Sequence, residues 1–369
     1  MGTAFAMGSG PTRRVLTLNF EADKRVDRLT FYTDDDMLLH SNDPHHPERA
    51  ERVRRVVARL QKADFARTAW QGAREATREE VLRAHTSEYT DWWLNQRGER
   101  GSIDGDTAYN AYSVRASLLA AGAAIEATDA ILQNHTRSAW ALTRPPGHHA
   151  ESHRAMGFCF INHAAVAARH ALDVHGLKRV MIIDWDVHHG NGTEEIFADD
   201  PRVLYFSTHQ APLFPHTGAA RDQGRGKGEG YTVNLPLPAG ITGGDLRYLY
   251  RAFIPALMAA HAPELVIVSA GFDAHKNDPL ADFYLDHRDF AALTRIVQDA
   301  ANIVCEGRTL FLLEGGYDVQ ALSDSVLACA QELVGETLTS THGAGPMGER
   351  VLRAARKLHI DRWPIPEDA

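Results

Sequence analysis

Short, nearly unbroken apolar runs recur along the chain, separated by longer stretches whose apolar residues repeat with helical spacing. Residues 29–33 (LTFYT), 138–143 (SAWALT), 180–183 (VMII), 203–207 (VLYFS), 265–269 (LVIVS) and 309–313 (TLFLL) are rich in β-branched and aromatic side chains, which predicts buried strands. The stretch 231–237 (YTVNLPL) has strand character too. Helices are predicted over 48–62, 76–84, 108–133, from Phe160 to about His175, and over 245–261, 289–306 and 319–334. Thr77, with Glu80 three residues on, has the pattern of a capping box. The alanines and glycine of 108–133 predict close packing against a neighbouring layer. Residues 34–36 and 96–107 read as solvated loops, 212–218 as a proline-rich loop, and the tail holding Pro364 and Pro366 as irregular. Strands and helices alternate with no break in composition, so the pattern predicts a single α/β domain, a parallel sheet with helices on both faces. Strands buried on both sides carry near-continuous apolar runs, as these do.

Composition changes this picture little. A chain of 369 residues with 44% hydrophobic and 24% charged residues can bury a sizeable core. The net charge of −9 carries no nucleic-acid footprint. No apolar run reaches the roughly 18 residues of a membrane span. Cys159, Cys305 and Cys329 are few and far apart, which points to buried thiols in a reducing, cytoplasmic setting. The opening MGTAFAMGSGPTRR lacks the charged and apolar regions of a signal peptide; residues 1–25 read as a flexible leader before a catalytic domain over 26–369, with Met7 as a second candidate start. A homo-oligomer is compatible with this composition. The segment GRGKGEG, at 224–230, is followed by strand-like residues instead of a Gly-Lys-Ser/Thr helix start, so it reads as a loop and not a phosphate cradle.

The chemistry lies where apolar runs end. After Ile183 the chain reads Asp184-Trp185-Asp186-Val187-His188-His189, then Gly190-Asn191-Gly192 breaks the pattern. In an extended backbone, residues two apart point the same way, so Asp184, Asp186 and His188 share one face. Carboxylates and an imidazole converging at a strand end are costly unless a cation sits among them. An oxygen, oxygen, nitrogen set suits an open zinc site, with iron, cobalt and manganese as alternatives. Three further strands end in reactive residues: His148 and His149 after Arg144-Pro145-Pro146-Gly147, Asp273 after 265–269, and Tyr317 after 309–313. In a parallel sheet, ligands bind beyond these carboxyl ends. Asp186, His188 and Asp273 would hold the metal, the histidine pair would act as general base and acid, and Tyr317 would donate to a developing oxyanion. The set describes metal-assisted amide hydrolysis. No Gly-X-Ser-X-Gly elbow or activated cysteine motif suggests a serine or thiol hydrolase.

The motifs RPPGHH, GFCFIN, DWDVHHGNGT, SAGFDAH and EGGYD, in this order over about residues 30–330, resemble the zinc-dependent histone deacetylase family. The resemblance implies the arginase–deacetylase fold: an eight-stranded parallel sheet and a narrow tunnel leading to one zinc ion. It implies Asp186, His188 and Asp273 as zinc ligands, His149 as main base, His148 as its electrostatic partner with Asp184 behind it, and Tyr317 as carbonyl-polarising residue. It implies a potassium site from Asp184, Ser207 and Thr208 with the backbones of Asp186 and His188. Phe158 and Phe214 match tunnel walls, Gly157 lies beside the substrate amide, and Leu280 marks the tunnel mouth. Asn191 stands where class I members carry aspartate, which gives His149 a neutral partner. Tyr317 is not the histidine of weakly active members, and the mononuclear ligand set is not that of the dimanganese arginases. The pattern is most similar to bacterial deacetylase-like amidohydrolases and acetylpolyamine amidohydrolases.

Two activities follow from this resemblance. One is deacylation of lysine side chains in peptides or proteins; the other is deacetylation of small acylated amines such as acetylpolyamines. Leu280 favours the first, because a polyamine-selective branch carries glutamate there. Glu99, Asp104 and Asp106 are the acidic residues that could serve the second. A catalytically silent acyl-lysine binding module would not need both histidines and the tyrosine.

Overall fold

The computed structural model describes residues 27–42, 45–338 and 345–369. The expected leader, 1–25, and Asp43-Pro44 lie outside the described residues. The strands are β1 (Asp27–Tyr32), β2 (Thr68–Gln71), β3 (Gly101–Ser102), β4 (Ala108–Tyr109), β5 (Thr136–Ala141), β6 (Val180–Asp184), β7 (Val203–Gln210), β8 (Thr232–Leu237), β9 (Leu265–Ala270) and β10 (Thr309–Leu313). The helices are α1 (Glu51–Ala63), α2 (Arg78–Val81), α3 (Ser87–Leu94), α4 (Ser113–Leu132), α5 (His163–Asp173), α6 (Asn191–Phe197), α7 (Gly243–His261), α8 (His287–Cys305), α9 (Val319–Val334) and α10 (Pro346–His359). None is long and apolar enough to cross a membrane.

Eight strands form one parallel sheet in the order β2-β1-β5-β10-β9-β6-β7-β8, as the fold expectation requires. Alternate residues of each strand feed two cores. Trp140, Met181, Ile183, Val266, Val268, Phe311 and Leu313 point into one, with α1, α7, α8, α9 and α10 packed over it. Ala139, Ala141, Val180, Ile182, Ile267, Leu310 and Leu312 point into the other, beneath α4, α5 and α6. This double burial is why the runs are apolar at both parities. α4 is small-residue for a visible reason: a Cβ on Gly122 would lie 1.8 Å from the Arg74 carbonyl oxygen. The Thr77–Glu80 capping box forms in both directions.

Several boundaries differ from the sequence reading. The helix expected from residue 108 begins at Ser113, because Ala108–Tyr109 pairs with Gly101–Ser102 in a small antiparallel hairpin. The tail is not wholly irregular: α10 occupies 346–359, with Pro346 in its first turn, where a missing N–H costs nothing. Strand β2 was not evident, being short and half-buried at the sheet edge. Helix α6 starts on the Gly-Asn-Gly expected to act as a breaker.

The four strands whose ends carry reactive residues, β5, β10, β9 and β6, are contiguous at the centre of the sheet. Their carboxyl ends therefore open onto one place.

Candidate active site

Asp186, His188 and Asp273 converge just past β6 and β9. Their ligand atoms all lie within 4.8 Å of one another, and all three residues are buried. His188 Nδ1 sits 3.2 Å from Asp186 Oδ1 and 3.0 Å from Asp273 Oδ2. The outer oxygens are already occupied: Gly315 N–H donates to Asp186 Oδ2 at 2.8 Å, and Val187 N–H donates to Asp273 Oδ1 at 2.9 Å. The other oxygens, Asp186 Oδ1, which also accepts from the His188 N–H at 2.9 Å, and Asp273 Oδ2, face His188 Nδ1. Gly315 and Gly271 permit this approach; a Cβ on either would lie within 2.1 Å of Asp273 Oδ2 or Asp186 Oδ2 respectively. Burial alone would lower the His188 pKa, but the two carboxylates overcome it and push it up to about 10. The centre therefore favours a positive charge, and the donor set fits a divalent ion with an open coordination position.

His148 and His149 lie beside this centre, ring centroids 4.0 Å apart. Asp184 Oδ2 accepts from His148 Nδ1 at 3.0 Å, and Tyr205 Oη donates to the same oxygen at 3.1 Å. Burial opposes charge on His148, yet Asp184, Asp186 and Glu314 outweigh it and hold the ring well above its ordinary pKa. His149 goes the other way: burial and the neighbouring His148 and His188 hold it well below. Its Nδ1 meets Asn191 Oδ1 at 2.9 Å. Two adjacent imidazoles are thus driven apart, one toward the cation and one toward the neutral base.

Tyr317 is buried, and its ring lies 6.0 Å from that of Phe158 and 5.0 Å from the Arg52 guanidinium carbon. Phe214 stands against His149 at 5.2 Å, edge to face. Gly157 has φ +56°, and a Cβ there would meet His149 Cδ2 at 2.5 Å and Phe214 Cε1 at 3.0 Å, so only glycine fits. Leu280 is half-buried, and its N–H donates to Asp278 Oδ1 at 3.0 Å. Ser207 is the register partner of Asp184, with Thr208 next along β7 and bonded to Tyr250 Oη at 3.2 Å. Glu99 is exposed, whereas Asp104 accepts from the N–H groups of Asp106 and Thr107, and Thr107 Oγ1 accepts from Phe158 N–H at 3.2 Å.

The sequence reading missed the residues that hold this machinery. Asp278 Oδ2 accepts from Tyr317 N–H at 2.6 Å. Glu314 Oε2 accepts from the Gly147 and His148 N–H groups at 2.7 and 3.2 Å. Burial pushes each of these carboxyls up to about 7. Arg52 donates to the Gly316 and Glu314 carbonyls, and Glu48 braces both Arg52 and Arg144 in a fully buried ion network. An unexplained buried charge within an otherwise legible motif, such as Glu314 before Gly-Gly-Tyr, was the available signal.

Asp129, His170 and His175 also bring ligand atoms together. There, however, Arg83 Nη1 donates to His170 Nδ1 at 3.1 Å, so His170 Nε2 carries the proton that Asp129 Oδ1 accepts at 2.7 Å. His175 Nε2 meets the same oxygen at 2.6 Å. This trio is a hydrogen-bonded staple between α4 and the end of α5.

The profile of the histone deacetylase domain matches residues 46–333. The probable deacetylase of Archaeoglobus fulgidus is 39% identical over 289 residues, covering 78% of this chain and 80% of that protein. The histone deacetylase-like amidohydrolase of Pseudomonas aeruginosa is 37% identical over 331 residues, 84% of this chain and 86% of its own. The crystal structure of the HDA15 HD domain is similar with a TM-score of 0.85 at 37% identity, covering 92% of this chain and 96% of that one. Together with the central cluster of acidic, histidine and tyrosine side chains, these matches show that the chain belongs to the histone deacetylase family and is a hydrolase acting on amides.

Proposed function

We propose that the protein removes acetyl and related acyl groups from lysine side chains, with one zinc ion held by Asp186, His188 and Asp273. The observation that carries this reading is the convergence of that buried triad with a histidine pair of opposed basicity at one sheet end. When bound, the ion lowers the pKa of a water and polarises the scissile carbonyl. His149 Nε2 takes the water's proton and later delivers it to the departing amine. His148, kept cationic against Asp184, offsets the negative charge that develops. The Tyr317 hydroxyl donates to the carbonyl oxygen as it becomes an oxyanion. Phe158 and Phe214 would flank the aliphatic stem, with Gly157 beside the amide. A potassium ion on Asp184, Ser207, Thr208 and the carbonyls of Asp186 and His188 would stiffen the β6 end. Free, buried thiols at Cys159, Cys305 and Cys329 support a reducing compartment such as the cytoplasm.

Acyl-lysine is preferred to acetylpolyamine because Leu280 is apolar. The alternative has one observation in its favour: the Asp104–Asp106 loop borders Phe158 through Thr107 and through His46, whose ring packs on Phe158 at 4.5 Å and whose Nε2 meets the Asp106 carbonyl at 2.9 Å. Asp104 Oδ1 is already engaged by two backbone N–H groups, which weakens it as a partner for a distal ammonium. The test is the ratio of kcat/KM for N-acetylputrescine to that for an acetyl-lysine peptide, with metal content measured on the same preparations. We expect a ratio below one, a rise in Leu280→Glu, and loss of both zinc and turnover in Asp186→Ala. A wild-type ratio well above one overturns the substrate assignment, and full zinc occupancy in Asp186→Ala overturns the ligand set.

A further inference from the structure

Asn191 is an ambiguous partner for a catalytic base. An amide presents an acceptor on one side and donors on the other, so its orientation decides what His149 Nδ1 must be. With the oxygen facing the ring, Nδ1 carries the proton and Nε2 keeps its lone pair. With the amide reversed, the proton is driven to Nε2 and the base is blocked. An aspartate would impose the first state unaided, because it has only acceptors.

The surroundings of Asn191 fix the choice. Every partner on its Nδ2 side is an acceptor: Glu151 Oε1 at 2.7 Å, Met156 Sδ at 3.2 Å and the His149 carbonyl at 3.4 Å. Reversal would put the amide oxygen against the Glu151 carboxylate, so the charged contact dominates. Glu151 is itself held. Arg154 Nε and Nη2 donate to its two oxygens at 2.7 and 2.9 Å, and its backbone forms a bridge with Arg154. Its carbonyl takes His85 Nδ1 at 3.0 Å.

We propose that Glu151 is a positioning residue for the deacylation reaction: through Asn191 it sets the tautomer of His149 that leaves Nε2 free to accept the water's proton. The arrangement replaces the charge an aspartate would place against His149 with one carboxylate a residue further out. It keeps the ring's neighbour neutral while still dictating its proton. This rests on reading His149 as the base.

The test is a charge-and-amide exchange. Glu151→Gln lets either an oxygen or an NH2 face the Asn191 amide and so relaxes its constraint, and we expect kcat to fall about 10–100-fold, the scale on which outer partners of metal-site histidines act, with KM within a few-fold of wild type. Asn191→Asp alone sets two carboxylates face to face and is also impaired. The double exchange Glu151→Gln, Asn191→Asp restores a donor–acceptor pair and the Nδ1–H tautomer, and recovers kcat above either single variant. Should Glu151→Gln not fold, the gain of the double exchange over Asn191→Asp still reads the coupling. Ring ¹⁵N shifts of His149 in the zinc-free protein report the tautomer independently of activity. Nε2–H appearing in Glu151→Gln and disappearing in the double exchange supports the proposal. An unchanged tautomer, or a double exchange no better than the single variants, overturns it. A changed tautomer with undiminished kcat leaves the relay intact and removes His149 from the role of base.

Discussion

Tyr317 shows how much of one side chain's work is done by others. Its ring stacks by the Arg52 guanidinium, its N–H is fixed by Asp278, and the following Asp318 N–H reaches the same Asp278 oxygen at 3.3 Å. Removing only the hydroxyl, in Tyr317→Phe, leaves those supports in place. Turnover on an acetyl-lysine peptide should fall about 10²–10³-fold, as for other single oxyanion donors, while zinc stays bound and KM moves less than kcat. Near-normal kcat in that variant would remove the residue from the reaction. The reactive residues themselves were legible because each follows an apolar run, where a polar side chain has nothing else to do. Their supports were not. Arg52 reaches Gly316 across 264 positions of sequence, and no local pattern announces such a pairing. Glu151 has no strand end or motif position to single it out, and its contact with Asn191 spans 40 positions.

At the level of elements, strands were easier to read than their neighbours, since burial on both faces leaves an unambiguous apolar string. Edges and ends were harder. β2 offers four residues, three of them half-buried, and among the described residues no strand lies beyond it. α10 packs Leu352 and Ala355 into the same core as α7, but its apolar positions are few and the prolines at 364 and 366 follow closely. α6 begins where glycines suggested a break because Gly192 needs its missing side chain: a Cβ would lie 2.1 Å from the Ala150 carbonyl oxygen. The same reasoning gives a stability prediction in α4. Alanine is the better helix former, yet Gly122→Ala places a methyl on the Arg74 backbone, which has no flexible end to yield. Overpacking of this kind costs about 1–3 kcal/mol, more than the propensity gain. Urea unfolding should therefore show a lower midpoint than wild type, and a higher midpoint would mean that the 72–76 segment relaxes freely.

For the whole molecule, buried neutral histidines tie stability to pH. His85, His163, His261 and His359 are all depressed to about 4, each chiefly by burial. Between about 4 and the ordinary value of 6.5 the unfolded chain binds more protons at these rings than the folded one. Stability contributed by this set is therefore complete above pH 6.5 and lost as the pH falls toward 4. In chelator-treated protein, where metal release cannot contribute, Tm should decline across that interval; a flat profile there would contradict the assignment. The strand order carries a different consequence, one of timing. β2-β1-β5 and β6-β7-β8 are two separate blocks, and the last two strands to emerge during synthesis, β9 and β10, fill the gap between them. His148 and His149 follow the first block, Asp186 and His188 follow the opening strand β6 of the second, while Asp273 and Tyr317 arrive with the wedge. A ribosome-bound chain that stops before residue 265 lacks β9 and β10, which join the two blocks, and lacks Asp273, the third residue of the candidate metal centre. A fragment ending there should therefore be inert, and hydrolytic activity should report that translation has supplied the two strands that close the middle of the sheet.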